Sequence, residues 1–141
     1  MEQALNLYTA KQLLEIVEKR AKEEGIKAVI AICNAHGNPI AVHCMDDSFL
    51  VSYDVATKKA YTSVAVKMST MELSKLAQPG GTFYGVDKLD GGKIVIFGGG
   101  IPLKDGDEIV GGLGISGGTG EEDHGLAIFG ELAFRELLKS R

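Results

Sequence analysis

Three histidines are the side chains of this sequence best suited to proton transfer or metal binding at neutral pH. His43 falls in an alternating apolar run, where strand geometry places its side chain on the same face as Met45, about 7 Å away. Imidazole and thioether groups are both known axial ligands of haem iron. His43 is therefore the leading candidate metal ligand, and Met45 is a second cofactor-binding candidate. The alternative is a half-buried strand histidine with a structural hydrogen bond.

The other two histidines lie in different settings. His36 falls in a predicted turn and is expected to be exposed. His124 follows Glu121, Glu122 and Asp123, and these neighbouring carboxylates are expected to raise its pKa. Asp123 and His124 are weak candidates for acid–base chemistry. The sequence has no HExxH motif, and spacing alone reveals no nucleophile–base pair, so no motif establishes catalysis.

A turn rich in small residues is a second candidate binding element. It consists of Ser116, Gly117, Gly118 and Thr119, directly before the last predicted helix. Free N–H groups and the helix dipole favour an anion at such a position, for example a carboxylate or a propionate, and an ordinary capped turn is the alternative. The range 112–117 also matches GxGxxG, but no strand with an acidic residue follows it. Nicotinamide and flavin cofactors are therefore not expected.

The range 91–118 contains eleven of the 19 glycines, alternating with strand-forming residues. Glycine weakens a strand, so this density indicates turns or places where another surface approaches the main chain closely. That surface is expected to be a strand or helix of the chain, a second subunit or a ligand.

Composition limits the classes of protein to consider. A length of 141 residues with 45% hydrophobic content predicts a single domain over 1–141. The net charge of −4 and the lack of a basic stripe argue against a nucleic-acid partner. No apolar run is long enough to span a membrane, and no signal pattern opens the sequence, so a cytoplasmic location is expected. Cys33 and Cys44 are expected to be buried thiols.

Capping signals, periodicity and turn residues predict nine elements in the order α-β-β-α-α-β-β-β-α. Hairpin-type connections favour a mainly antiparallel sheet with helices packed against it. The predicted elements are a helix from a Thr9–Gln12 capping box to Gly25, strands over 26–33 and 39–45, helices over about 50–68 and 71–77, strands over 93–97, 101–104 and 108–115, and a helix opened by Thr119 and Glu122.

Five segments together resemble the GlcG/HbpS-like family, which includes the C-terminal domain of PduO-type proteins. Each segment is weak alone, but the ordered set is fairly specific and spans most of the chain. The segments are NAHG at 34–37 followed by IAVHCMDD, the predicted helix with Ala56, Lys59, Ala60 and Thr62, GGGIPL, VGGLGISGG, and Asp123 with Ala127 and Gly130.

This resemblance implies an α+β fold, namely a profilin-like three-layer α/β/α domain with a five-stranded antiparallel sheet. It also implies a homo-oligomer. Some family members bind haem or take part in its degradation, and others accompany glycolate, propanediol or glycerol metabolism. The chain departs from the family at Asn34, where relatives commonly have aspartate.

Two functions follow as hypotheses. The first is a cytoplasmic homo-oligomer that binds haem or a related tetrapyrrole such as a corrinoid, in a pocket closed by a neighbouring subunit. The second is a small enzyme or accessory protein that binds a hydroxy acid, an aldehyde or a diol, using the Ser116–Thr119 turn for the anionic group. A purely structural assembly protein is the remaining alternative.

Overall fold

Helices alternate with two hairpins along the chain, and the computed structural model describes residues 3–141. The helices and strands are α1 Leu7–Glu23, β1 Val29–Asn34, β2 Pro39–Cys44, α2 Ser52–Val66, α3 Thr70–Leu76, β3 Gly100–Asp105, β4 Glu108–Ser116 and α4 Gly120–Lys139, with short 3-10 turns at Val86–Lys88 and Asp90–Gly92. The α+β class is confirmed. Within residues 3–141, no helix is both long enough and apolar enough to cross a bilayer.

The capping signals predicted most helix starts correctly. Thr119 and Glu122 form the expected reciprocal capping box of α4, and the side chain of Ser69 caps α3. The predicted capping box at Thr9 is wrong. The Asn6 side chain accepts a hydrogen bond of 2.8 Å from the Thr9 backbone N–H, so α1 begins earlier and Thr9 is buried inside it.

Within residues 3–141 the sheet has four antiparallel strands in the order β2-β1-β4-β3, so the predicted five-stranded sheet and element order are wrong. The missing strand is the predicted one at 93–97. The Val95 N–H donates to the Thr62 hydroxyl at 3.0 Å, and that hydroxyl donates to the Lys93 carbonyl at 3.2 Å. This β-prone segment therefore hydrogen-bonds to a side chain of α2 instead of a neighbouring strand.

Helices cover both faces of the sheet. Ile30 and Ile32 of β1 point into the main core with α1 and α4, and Val29 and Ala31 point to the opposite face. There they pack with Ala56 of α2. The alternation of side chains along β1 thus separates two apolar layers, of which the α1/α4 side is the larger.

The glycines of β4 bring α2 against the strand. A Cβ added at Gly112 would lie 2.7 Å from the Ser63 hydroxyl, and one added at Gly114 would lie 2.6 Å from the Ala60 nitrogen. The surface that approaches this part of the main chain is therefore a helix of the same chain. Because α2 fills this space, it leaves no room there for a ligand or a second subunit.

Candidate functional site

His43 forms a hydrogen bond with a carboxylate across the cleft between β2 and α1. Its Nδ1 lies 2.7 Å from Oε1 of Glu18, and 39% of the His43 side chain is exposed. A carboxylate only accepts hydrogen bonds, so Nδ1 carries the proton and donates. Within the described residues Nε2 has no protein partner, and in this tautomer its lone pair is free to bind a metal.

The cleft around His43 has a volume of about 500 Å³. Met45 lies in the same cleft and also packs against the main core. Lys22 of α1 and Lys27 of the loop before β1 supply positive charge at its wall. The cleft thus combines one available imidazole nitrogen and apolar side chains with charges of both signs, since Glu18, Asp46 and Asp47 line it as well. Lys27 Nζ lies 3.9 Å from Asp47 Oδ2.

The two cysteines differ from each other in burial. Cys33 is buried, and burial raises the pKa of its thiol to about 11. Cys44 is exposed and lines the His43 cleft, so the expectation that both thiols are buried is wrong for Cys44. Cys44 ends β2, which is an edge strand of the sheet formed by residues 3–141.

A buried ion pair joins α2 to α4. Lys59 Nζ donates to Asp123 Oδ2 at 3.0 Å and to the Ile115 carbonyl at 2.7 Å. The two charged side chains are 2% and 3% exposed. Burial lowers the pKa of Lys59, and the charge of Asp123 opposes that effect. Residue-based reasoning missed this pair. The sequence does contain one indication of it, because Lys59 shares a helix face with the small residues Ala56, Ala60 and Ser63, and a face of small residues is expected to be buried.

The ion pair lies beside the turn predicted to bind an anion. Lys59, Asp123, Ser116 and Gly118 line one cleft of about 430 Å³. Within the turn, the Gly118 N–H donates to Asp123 Oδ1 at 2.8 Å, and the Thr119 N–H donates to Glu122 Oε1 at 2.9 Å. Carboxylates of the chain itself therefore already accept from two of the backbone donors expected to bind the anion.

His124 lies apart from this cleft, between α3, β3 and α4. Burial is the main cause that lowers its pKa. The charge of Lys75 lowers it further, and Glu72 acts in the opposite direction. The expectation that neighbouring carboxylates raise this pKa is wrong, because burial and the charge of Lys75 outweigh the opposing charge of Glu72. His36 is exposed in the β1–β2 turn, as predicted.

The structure thus places the predicted site residues in separate clefts. His43 and Met45 share one cleft, Ser116, Gly118 and Asp123 share a second, and His124 lines a third. Among residues 3–141, no three histidine, cysteine or carboxylate side chains are grouped so as to hold a bare metal ion.

Comparison with known proteins gives consistent matches. A family model described as "Haem degrading protein HbpS-like" matches residues 5–130. The chain is 42% identical over 124 residues to the corrinoid adenosyltransferase PduO of Salmonella typhimurium, but this covers 88% of the chain and only 37% of PduO. It is 36% identical over 133 residues to an uncharacterized 15.0 kDa protein in the dhaT-dhaS intergenic region of Citrobacter freundii, covering 94% of both.

A solved structure carries the same fold together with a ligand. The crystal structure described as a PduOC:heme complex superposes with a TM-score of 0.88 at 40% identity, covering 93% of this chain and 95% of that chain. That relative binds haem on a closely similar backbone.

Proposed function

This chain belongs to the HbpS-like family, and from that premise we propose that it binds haem, with His43 as the axial ligand. The solved haem complex of a relative with the same fold supports the ligand class. The His43–Glu18 hydrogen bond is the observation that supports the position.

A histidine that binds a metal commonly donates its other ring nitrogen to a carboxylate, which fixes the tautomer and makes the ligating nitrogen more basic. Glu18 makes this contact with Nδ1 of His43. Haem iron carries four porphyrin nitrogens of its own, so the protein needs to supply only axial ligands. One available imidazole is enough for this chemistry, and a three-residue metal cluster is not required.

The rest of the cleft suits the porphyrin ring and its propionates. Val42 and Met45 supply apolar side chains, and Lys22 supplies a cation for one propionate. Lys27 would pair with the other propionate by giving up its exposed 3.9 Å contact with Asp47. Lys27 also lines an adjoining cleft with Gly117 and Gly118. We include these two glycines in the proposed binding surface, as neighbours of a propionate held by Lys27.

We further propose that the protein binds haem as a homo-oligomer. The His43 cleft lies at the open edge of the sheet, where a second protomer would cover a flat ligand. Large exposed apolar side chains in the loops around α2 and α3 are suited to such association. They are Phe49, Leu50, Val51, Phe83, Tyr84, Leu89 and Phe97.

We expect a hemin titration of the purified protein to give a saturable shift of the Soret band, and His43→Ala to abolish it. The matched control is His36→Ala, which removes an exposed histidine outside the cleft and should leave the titration unchanged. Native mass spectrometry of the hemin-loaded protein should show a complex of several protomers. An unchanged Soret shift in His43→Ala would refute the ligand assignment.

Glu18→Gln tests the positioning of the imidazole. This variant keeps the shape of the side chain and weakens the hydrogen bond, so haem affinity should fall by about 10–100-fold.

A parallel titration with cobalamin distinguishes haem from a corrinoid, the ligand class that the name of the PduO relative suggests.

The Lys59–Asp123 cleft supports a second proposal, the binding of a small hydroxy acid, aldehyde or diol. Ser116 and the buried ion pair lie together there, whereas His124 does not contribute. A thermal-shift screen of such metabolites tests the proposal, because a ligand at 100 times its dissociation constant stabilises the fold by about 2.7 kcal/mol. A flat response across the panel would remove this function from consideration.

A further inference from the structure

A third cleft lies at the opposite edge of the sheet from His43, between α3, β3 and α4. Its volume is about 370 Å³. Its walls carry four cationic side chains from four different segments, namely Lys67 after α2, Lys75 of α3, Lys104 of β3 and Arg135 of α4. This concentration of positive charge stands out in a chain of net charge −4.

Most of this positive charge is not neutralised within the protein. Arg135 pairs with Glu131, and Glu72 is the other carboxylate at the wall. Within residues 3–141, Lys67, Lys75 and Lys104 make no ion pair with a carboxylate. Cations that converge on one concave surface raise the local concentration of anions there.

His124 provides a directional group in the same cleft. Its Nδ1 is the only buried side-chain nitrogen or oxygen in the described part of the chain that lacks a hydrogen-bond partner. Buried polar atoms almost always have a partner, so the unpaired Nδ1 requires a water, an ion or a ligand atom as its partner. The His124 ring is partly exposed, but Nδ1 itself faces the protein interior, so this nitrogen would reach a bound oxygen only when the ring turns about its Cβ–Cγ bond. In the neutral imidazole, Nδ1 can carry the proton and would then act as the donor.

We propose that this cleft binds a small molecule through a phosphate group, with His124 donating from its imidazole ring and Lys75 and Lys104 pairing with the charge. A phosphate monoester brings close to two negative charges and three strong acceptor oxygens on one atom. Its charge suits a cleft with lysines on several walls, and its oxygens can accept a hydrogen bond from the imidazole N–H. The site is distinct from the His43 cleft, since β2 and β3 are the two outer strands of the sheet.

Nuclear magnetic resonance of the histidine ring protons tests this proposal on the intact protein, with inorganic phosphate and methyl phosphate as probes. We expect saturable shifts of the His124 signals and a higher His124 titration midpoint when phosphate is bound. Sodium chloride and succinate, both at matched ionic strength, should not produce these shifts. His124→Ala identifies the signals.

Two sets of variants separate binding from a general salt effect. The double variant Lys75→Ala/Lys104→Ala should raise the phosphate dissociation constant by about fivefold or more, whereas Lys11→Ala, an exposed lysine of α1, should not change it. By calorimetry, His124→Asn should bind phosphate more tightly than His124→Ala, because the asparagine amide can donate near the position of Nδ1. Equal shifts with every salt, or unaltered binding in the double variant, would overturn the proposal.

Discussion

Replacing Lys59 by methionine is expected to destabilise the fold by about 3–5 kcal/mol, because it leaves the charge of Asp123 buried without its partner. Methionine preserves the length and apolar stem of the side chain, so the effect isolates the loss of the ammonium group. The Ile115 carbonyl loses its Lys59 hydrogen bond as well. Urea denaturation followed by circular dichroism measures the change in the free energy of unfolding.

Two further variants test whether the buried charge is the cause. Lys58→Met removes a half-exposed neighbour whose partner is the exposed Asp54, and this should change stability by less than about 0.5 kcal/mol. Adding Asp123→Asn to Lys59→Met should recover much of the loss, since asparagine is neutral and keeps an acceptor for the Gly118 N–H. If the double variant is no more stable than Lys59→Met alone, the explanation by an unpaired charge fails.

Gly114→Ala should also destabilise the protein, by about 2–3 kcal/mol, because the new methyl group would meet the backbone of α2. It would lie 2.6 Å from the Ala60 nitrogen and closer still to the Ala56 carbonyl oxygen. No side-chain rotation relieves a contact with backbone atoms, so α2 must move away from β4. Thermal and urea unfolding both report this loss.

Gly125→Ala is the matched control for this prediction. Gly125 lies on the exposed side of α4, and an added Cβ there has no neighbour within 4 Å. Alanine favours the helix by up to about 1 kcal/mol over glycine, so this variant should be neutral or more stable. Equal losses at both positions would mean that glycine contributes only through backbone flexibility and that the close helix contact is unimportant.

Local signals predicted the regular elements well. The Asn34–Asn38 turn, with Gly37 at a positive φ of 83°, and the Asp105–Asp107 turn both formed hairpins as expected. The run at 93–97 shows the limit of such signals, since its composition is typical of a strand. Its backbone partner, the Thr62 hydroxyl, lies more than thirty residues away in sequence. Propensity alone does not reveal such a competing long-range partner.

The candidate site was predictable only in part. Strand alternation correctly placed His43 and Met45 together, because this relation is local. The partner Glu18 lies 25 positions away on α1, and only the tertiary packing of α1 against β2 brings the two side chains together. The Lys59–Asp123 pair spans 64 positions and was hidden for the same reason. The pKa of His124 was predicted in the wrong direction, since burial and the charge of Lys75, which lies on another helix, lower it.

The contact of α2 with the main chain of β4 has a mechanical consequence. Where two elements pack through side chains, a change of rotamer can accommodate a small shift of one element against the other. At Gly112 and Gly114, α2 packs against the main chain of β4, which has no rotamers to change. We therefore expect α2 and β4 to move together as one rigid unit. Any conformational change on binding of a ligand or partner is then expected in the segments at 45–51 and 77–99, which precede α2 and follow α3. These two segments carry most of the large exposed apolar side chains.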